Sequence, residues 1–158
     1  MVYLFMALAG AAVVTLDQLS KLWVVDNIQL YTQIPCIKGL FHLTNVRNFG
    51  AAFSSFQGQQ WLFVLVFALF TAGIIWEFAT KKMGFTTFER WCVAAVYAGG
   101  LGNMIDRLRL GYVVDMIEVE FIDFPVFNIA DCFITCGCIV LMVHLVFFNR
   151  AFWKDEKK

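Results

Sequence analysis

Four aspartates lie within or beside long apolar blocks, and they are the residues of this chain best suited to chemistry. They are Asp17, Asp106, Asp115 and Asp131. Two aspartates that share one proton can activate water and protonate a leaving amine without a metal or a covalent intermediate. An apolar setting assists, because a low dielectric keeps one carboxyl protonated near neutral pH. The residues alone leave open which two of the four form such a pair.

Other catalytic arrangements fit the sequence less well. His144 lies deep in an apolar block, and His42 has no evident serine or cysteine partner. No HExxH-type segment of a zinc protease is present. Lys21 beside Ser20 keeps a serine–lysine pair open as an alternative. The five cysteines are expected to be packing residues, so neither a metal nor another cofactor is predicted.

The composition indicates an integral membrane protein. Of the 158 residues, 61% are hydrophobic and only 15% are charged, whereas soluble domains are about half apolar and about a quarter charged. The excess is gathered into blocks, as membrane spans require. The net charge is zero, with 12 basic and 12 acidic residues, which argues against a nucleic-acid partner.

Four apolar blocks are long enough, or nearly so, to span a bilayer, which takes about 20 mainly apolar residues. They cover approximately residues 2–25, 61–78, 91–105 and 129–148. The predicted fold is an all-α membrane protein with four transmembrane helices and a small extracytoplasmic β element, in one domain over residues 1–158. Residues 26–60 and 106–128 would lie outside the membrane. In the first of them, "IQLYTQI" and "GLFHLTNV" predict short strands.

Basic residues favour one orientation of these spans. Seven of them fall on the side of the termini, against four on the other side, where acidic residues dilute them. The seven are Lys81, Lys82, Arg90, Arg150, Lys154, Lys157 and Lys158, and the four are Lys38, Arg47, Arg107 and Arg109. The positive-inside rule therefore predicts that both termini are cytoplasmic.

On this topology the polar side chains of the spans collect at the outer surface. The set comprises Asp17, Lys21, Arg47, Asn48, Asn103, Asp106, Arg107, Asp115, Asn128 and Asp131, with only His144 and Glu77 expected elsewhere. Ionisable groups are costly inside a membrane, so by default they indicate function.

Several of these residues also have a simple structural explanation. Asp17 and Lys21 are spaced for an intrahelical ion pair in which Lys21 snorkels to the interface. Asn128 can cap a helix that has Asp131 at its third position, as in a capping box. Asp115 could be a solvated loop residue, although its apolar and β-branched neighbours favour partial burial. The coincidence of these groups at one surface favours a functional site.

Five ordered motifs resemble the type II (lipoprotein) signal peptidases, an aspartic membrane protease family of bacteria. They are "DQLSK" (17–21), "NFGAAF" (48–53), "GGLGNMIDR" (99–107), "VVDMI" (113–117) and "FNIAD" (127–131). Each motif is weak alone, but five in the same order with a fitting topology are specific. Two departures are small. Ala98-Gly99-Gly100 stands where the family often has Gly-Gly-Ala, and Cys132 stands where it often has serine.

The resemblance implies a role for individual residues. Asp115 and Asp131 match the two catalytic aspartates. The expected site support comprises Asn48, Asn103 and Arg107, which would line the site and hold substrate backbone, Asn128 beside the dyad, and Asp17 and Lys21 beneath it. Small residues near the site, Gly50 among them and "AGGLGN" (98–103) in the third span, would allow close backbone approach.

The resemblance also implies the substrate and the setting. The family removes the signal peptide of a prolipoprotein on the N-terminal side of its diacylglyceryl-modified cysteine. The expected partners are such signal peptides and membrane lipid. The expected location is the bacterial cytoplasmic (inner) membrane, with the site at the outer (periplasmic) face.

A non-enzymatic alternative is a small proton-coupled carrier that uses Asp17, Asp106 and Asp131. A carrier needs ionisable groups along a path across the bilayer, and the inner half offers only Glu77 and His144 besides basic residues at the surface. The protease is therefore the preferred hypothesis.

Overall fold

The computed structural model describes residues 1–50 and 55–149 and contains four long helices and three strands. In chain order these are α1 (Val2–Asn27), β1 (Ile34–Ile37), β2 (Phe41–Asn48), α2 (Gln60–Thr80), α3 (Thr87–Leu110), β3 (Val113–Val119) and α4 (Ile129–Phe147). The predicted helical membrane protein with a small β element is confirmed at this level. Part of "NFGAAF" and the basic tail from Arg150 onward lie outside the described residues.

Three of the four helices are long and apolar enough to cross a membrane, namely α1, α2 and α4. Few of their residues are buried inside the protein, so most apolar side chains face outward, as lipid contact requires. The third helix, α3, is not among these three and carries charged residues towards both ends.

Helix α3 is the centre of the bundle, because α1, α2 and α4 all pack against it. A central helix can satisfy its polar side chains against protein rather than lipid, which explains why the most polar helix lies inside. It begins with a capping box formed by Thr86 and Glu89 and ends at Gly111, whose φ of +79° suits glycine. The helix extends beyond the predicted span of residues 91–105 at both ends, so Asp106 and Arg107 lie in its last turns.

The three strands form one antiparallel sheet in the order β1-β2-β3. Its third strand comes from the second outer segment, for which no strand was predicted, and residues 28–33 of the first segment lie outside the strands. The strand order places Val46 opposite Asp115 and Asn48 opposite Val113. A buried cluster of Val24, Ile28, Val114 and Met116 fixes the sheet to the end of α1.

A second polar cluster lies at the opposite end of the helices, so the prediction that all but two polar groups gather at one surface is wrong. Glu89 is fully buried, and its carboxylate contacts His144 Nδ1 at 2.9 Å and accepts a hydrogen bond from Asn149 at 2.7 Å. Nearby, Arg90 donates to Glu77 at 3.1 Å. The sequence did not predict the burial of Glu89, because its position is also that of an ordinary helix-capping residue.

Candidate active site

The first turn of α4 is built by a complete capping box. The side-chain oxygen of Asn128 accepts from the backbone N–H of Asp131 at 3.0 Å, and the carboxylate of Asp131 accepts from the backbone N–H of Asn128 at 3.2 Å. This confirms the helix start predicted from "FNIAD". The box holds the Asp131 side chain in a fixed position at the helix entrance.

The amide of Asn128 also reaches the second aspartate of the site. Its Nδ2 donates to Oδ1 of Asp115 at 2.7 Å, and Asn48 Nδ2 donates to Oδ2 of the same carboxylate at 2.9 Å. Asn48 lies on β2, diagonally across from Asp115 on β3, where cross-strand side chains can meet. Asp115 is only 2% exposed, so the predicted burial is confirmed.

Asn103 of α3 completes the connection between the two aspartates. Its Nδ2 donates to Oδ1 of Asp131 at 2.7 Å, and its Oδ1 accepts from Asn128 Nδ2 at 3.1 Å and from Lys21 Nζ at 2.9 Å. Asp115 and Asp131 thus stand on different elements, joined by a short network of amides.

A buried ion cluster supports the backbone on both sides of this network. Lys21 Nζ lies 2.9 Å from Asp17 and 3.0 Å from Asp106, and its side chain is only 3% exposed. The ion pair within α1 is confirmed, but the snorkelling of Lys21 is wrong. Asp17 accepts from the backbone N–H of Ala130, next to Asp131, and Asp106 accepts from that of Val114, next to Asp115.

Gln18 belongs to this cluster and was missed by sequence reasoning. Its Nε2 donates to Asp106 at 2.9 Å and to the Gly102 carbonyl at 3.1 Å. The available signal was an amide inside an apolar helix, next to Asp17. The alternative serine–lysine pair is not formed, because the Ser20 hydroxyl donates to the Asp17 carbonyl and Lys21 is held by carboxylates.

Arg107 and Gly50 also belong to the site, and Arg107 contacts α2 through Phe63. Arg107 donates to the Gly50 carbonyl at 2.9 Å and stacks on the Phe63 ring, with 4.3 Å from its guanidinium carbon to the ring centroid. The Gly50 N–H donates to Asn48 at 2.9 Å. A Cβ at Gly50 would overlap the backbone oxygen of Ser55, so the chain needs glycine here.

The setting of Asp115 favours a carboxyl that titrates near neutrality. The pKa of Asp115 is raised to about 7, chiefly by burial and also by the nearby charge of Asp131, while hydrogen bonds from Asn48 and Asn128 act in the opposite direction. Such a pair can hold one proton between two carboxylates near pH 7, as general acid–base chemistry on a peptide requires.

The part of the chain that the structure describes contains no group of three or more His, Cys, Asp or Glu side chains placed to hold a metal ion. Its five cysteines are all free, and three of them lie along α4.

Known proteins share both the sequence and the fold. The signal peptidase (SPase) II family model matches residues 9–147. A lipoprotein signal peptidase of Streptococcus agalactiae serotype V is 45% identical over 90% of this chain and 88% of its own length. One of Streptococcus pyogenes serotype M1 is 43% identical over 90% of this chain and 89% of its own length.

Solved structures agree with this relationship. A bacterial membrane enzyme determined by the in meso method at 2.3 Å resolution superimposes with a TM-score of 0.85 and 28% identity, over 98% of this chain and 93% of that one. A second, at 1.9 Å resolution, gives a TM-score of 0.80 and 28% identity over 92% and 94%. Together with the match over residues 9–147, these likenesses show that the chain belongs to the signal peptidase II family, the lipoprotein signal peptidases.

Proposed function

We propose that Asp115 and Asp131 are the catalytic dyad with which this protease removes signal peptides from prolipoproteins. The observation that carries the proposal is their geometry. Two carboxylates from separate elements share Asn128 as a hydrogen-bond partner, and Asp115 is buried where its pKa lies about 7. Among the described residues, Asp17 and Asp106 are also close to each other, but Lys21 lies between them and forms an ion pair with both.

The proposed reaction needs only the two carboxyls and water. The ionised aspartate takes a proton from water, which attacks the carbonyl of the scissile peptide. The protonated aspartate donates towards the carbonyl oxygen, and a proton then passes to the leaving amine. Assistance of this kind contributes roughly 10²–10⁴-fold. The proton belongs to the pair, since the two carboxyls titrate together.

The neighbouring amides and Arg107 are proposed to orient the substrate. Asn48 and Asn103 each donate to one aspartate, so both carboxylates keep fixed orientations while a peptide binds between them. Arg107 holds the Gly50 carbonyl and thereby the start of the loop that follows β2. Asp17 and Lys21 support the site indirectly. Asp17 accepts a hydrogen bond from the backbone of Ala130, and Lys21 forms an ion pair with Asp106.

The proposed substrate is a signal peptide followed by a diacylglyceryl-modified cysteine, cleaved on the N-terminal side of that cysteine. Both the signal helix and the acyl chains reside in lipid, so the substrate would reach the site laterally. In the proposed arrangement α3 also crosses the membrane, so that there are four spans, both termini are cytoplasmic, and the dyad lies at the outer face of the cytoplasmic membrane. The whole chain forms one domain.

A proton-coupled carrier is not favoured. The family relationship supports signal peptide removal. In addition, α3 contains no Asp, Glu, Lys, Arg or His between Arg90 and Asn103, so its two polar ends are separated by an apolar stretch.

Substitution of each aspartate by its amide tests the dyad. We expect Asp115→Asn and Asp131→Asn to reduce cleavage of a lipid-modified preprotein in detergent by roughly 10²–10⁴-fold, because neither amide can take up or release the transferred proton. Asp123→Asn, at an exposed position of the loop after β3, is the matched control and should cleave normally. Thermal unfolding of each variant separates lost chemistry from lost folding. Near-normal cleavage by a folded Asp115→Asn or Asp131→Asn protein would disprove the dyad.

A further inference from the structure

An apolar groove lies along α3 between α1 and α2, and its lining includes none of the four aspartates Asp17, Asp106, Asp115 and Asp131 among the described residues. It has a volume of about 590 Å³, and its walls are one face of α1, from Tyr3 to Thr15, and part of α2 that includes Phe78. Its floor is α3 between Ala94 and Leu101. Among the described residues that line it, none is charged.

The groove has the length of one membrane leaflet. From Tyr3 to Thr15 the helix rises about 18 Å, at roughly 1.5 Å per residue, whereas one leaflet takes about half of the roughly 30 Å of bilayer hydrocarbon. Small residues of α1, Ala7, Gly10 and Ala11, keep the groove open along this length. These dimensions fit a lipid acyl chain that runs parallel to the helices.

A second, more polar cavity continues the groove at its far end. It measures about 360 Å³, shares Tyr3 and Met6 with the groove, and is lined by Lys81, Thr87 and Arg90. Tyr3 and Met6 line both cavities, so the two adjoin at this end of α1. One end of the combined site is therefore apolar and the other presents two cationic side chains.

The charges at this end are suited to an anion. Lys81 makes no ion pair within residues 1–50 and 55–149. Arg90 donates one terminal nitrogen to Glu77, but its buried Nε has no hydrogen-bond partner among the described residues. Glu89, the other nearby carboxylate, is engaged on the opposite side by His144 and Asn149.

We propose that this combined site binds an anionic glycerophospholipid of the leaflet opposite the dyad. One acyl chain would lie in the groove, and the phosphate would sit beside Lys81 and Arg90 with the Thr87 hydroxyl as a further donor. The proposal rests on the four-span arrangement given under the proposed function but requires no catalytic step. It assigns to this protein a lipid site separate from the one that processes the substrate.

Native mass spectrometry of the full chain in detergent tests the site. The probes are dioleoylphosphatidylglycerol, dioleoylphosphatidylcholine with the same chains, and soluble glycerol phosphate. We expect one phosphatidylglycerol to be retained, at least fivefold more than phosphatidylcholine, and no retention of glycerol phosphate. Equal retention of the two lipids, or retention of glycerol phosphate alone, would overturn the proposal.

Matched variants locate the bound lipid. Lys81→Asn removes the charge and suits the left-handed backbone at this position, where φ is +55°. It should lower phosphatidylglycerol retention about fivefold, the usual effect of one cationic residue near an anionic lipid, whereas Lys82→Asn, outside the cavity, should not. Ala7→Phe fills the groove and should abolish retention, whereas Ala12→Phe, which does not line it, should retain lipid. Identical behaviour within either pair would refute the site.

Two other occupants are separate outcomes of the same experiment. A dimer that forms as lipid is lost would assign the groove to a second copy of the chain. Displacement of the lipid by an equimolar signal peptide would assign it to the substrate helix. Either result would overturn the proposal. Neither result depends on cleavage, which is assayed separately with Asp115→Asn as the inactive control.

Discussion

At the scale of single residues, Asn128 connects most of the site. Its side-chain oxygen caps α4, its backbone N–H donates to Asp131, and its amide nitrogen donates to Asp115. A residue that is fully buried and uses both ends of its amide leaves little freedom to the groups it contacts. The ordinary capping role and the proposed catalytic role are therefore two aspects of one geometry.

The pKa of Asp115 leads to a pH prediction. Below about pH 7 this carboxyl is protonated and can act as the general acid, and above about pH 7 it loses that proton. We expect kcat/KM to fall on the alkaline side from about pH 7, approaching tenfold per pH unit. Because the hydrogen bond from Asn48 lowers the pKa of Asp115, Asn48→Ala should move this descending limb to higher pH.

Asn45→Ala serves as the control for that profile. Asn45 is buried on the same strand but donates to the Ile28 carbonyl instead of an aspartate, so its loss should leave the limb in place. A limb that shifts equally in both variants, or in neither, would contradict the assignment of this titration to Asp115.

Two substitutions of Asn128 separate capping from contact with the dyad. Alanine removes both, and loss of the cap should cost about 0.5–2 kcal/mol of stability. Serine is as good a cap as asparagine but lacks the amide that donates to Asp115. We therefore expect Asn128→Ser to unfold at a higher temperature than Asn128→Ala in detergent, with its alkaline limb moved to higher pH. If Asn128→Ser were as unstable as Asn128→Ala, the separation of the two roles would be wrong.

At the scale of elements, glycines of α3, which have no side chain, allow α3 to pack closely against its neighbouring helices. A Cβ at Gly99 would lie 2.5 Å from the Ala130 carbonyl oxygen, and one at Gly102 would lie 2.6 Å from an Asp17 carboxylate oxygen. Both neighbours belong to the support of Asp131. Close backbone contact through small residues is the usual means of packing helices in membranes.

The matched pair Gly99→Ala and Gly73→Ala tests this contact. Both glycines lie inside long helices, but a Cβ at Gly73 would have no neighbour within 4 Å in the part of the chain that the structure describes. Gly73→Ala should be neutral or slightly stabilising, since alanine favours helix. Gly99→Ala should destabilise by about 1–3 kcal/mol through overpacking and lower kcat by displacing the start of α4. Equal melting temperatures and activities for the two variants would contradict this account.

At the scale of the whole molecule, two polar clusters lie at opposite ends of an apolar bundle. One contains the aspartates and the sheet, and the other contains Glu77, Glu89, Arg90 and His144. The distance between them is set by α3, whose 24 residues rise about 36 Å. That length matches a membrane of about 30 Å of hydrocarbon, so each cluster would lie near one surface.

Cys36 provides a native reporter of orientation. It is exposed on β1, whereas the other four cysteines lie in α3 and α4. A membrane-impermeant maleimide should label Cys36 in spheroplasts, and Cys36→Ser should abolish this labelling. In the Cys36→Ser background, Lys82→Cys in the link between α2 and α3 should be labelled only in inverted vesicles. The reverse pattern would place the sheet in the cytoplasm and contradict the proposed topology.

The sequence by itself determined the features that depend on near neighbours along the chain. Apolar length predicted the helices, the spacing of Asp17 and Lys21 predicted their ion pair, and "FNIAD" predicted the cap of α4. The ordered motifs also indicated the family and the candidate aspartates. Such signals are local, because helix periodicity and capping involve residues three or four apart.

Only the tertiary structure decided which side chains meet. Asn48 reaches Asp115 across 67 residues because β3 pairs with β2, and Gln18 reaches Asp106 across 88 residues because α1 packs on α3. Neither pairing has a local signature, since any buried amide or carboxylate needs a partner but its own sequence does not specify which. The central position of α3 follows in the same way from the packing of the bundle. It turns the least apolar helix into the element against which the other three helices and β3 pack.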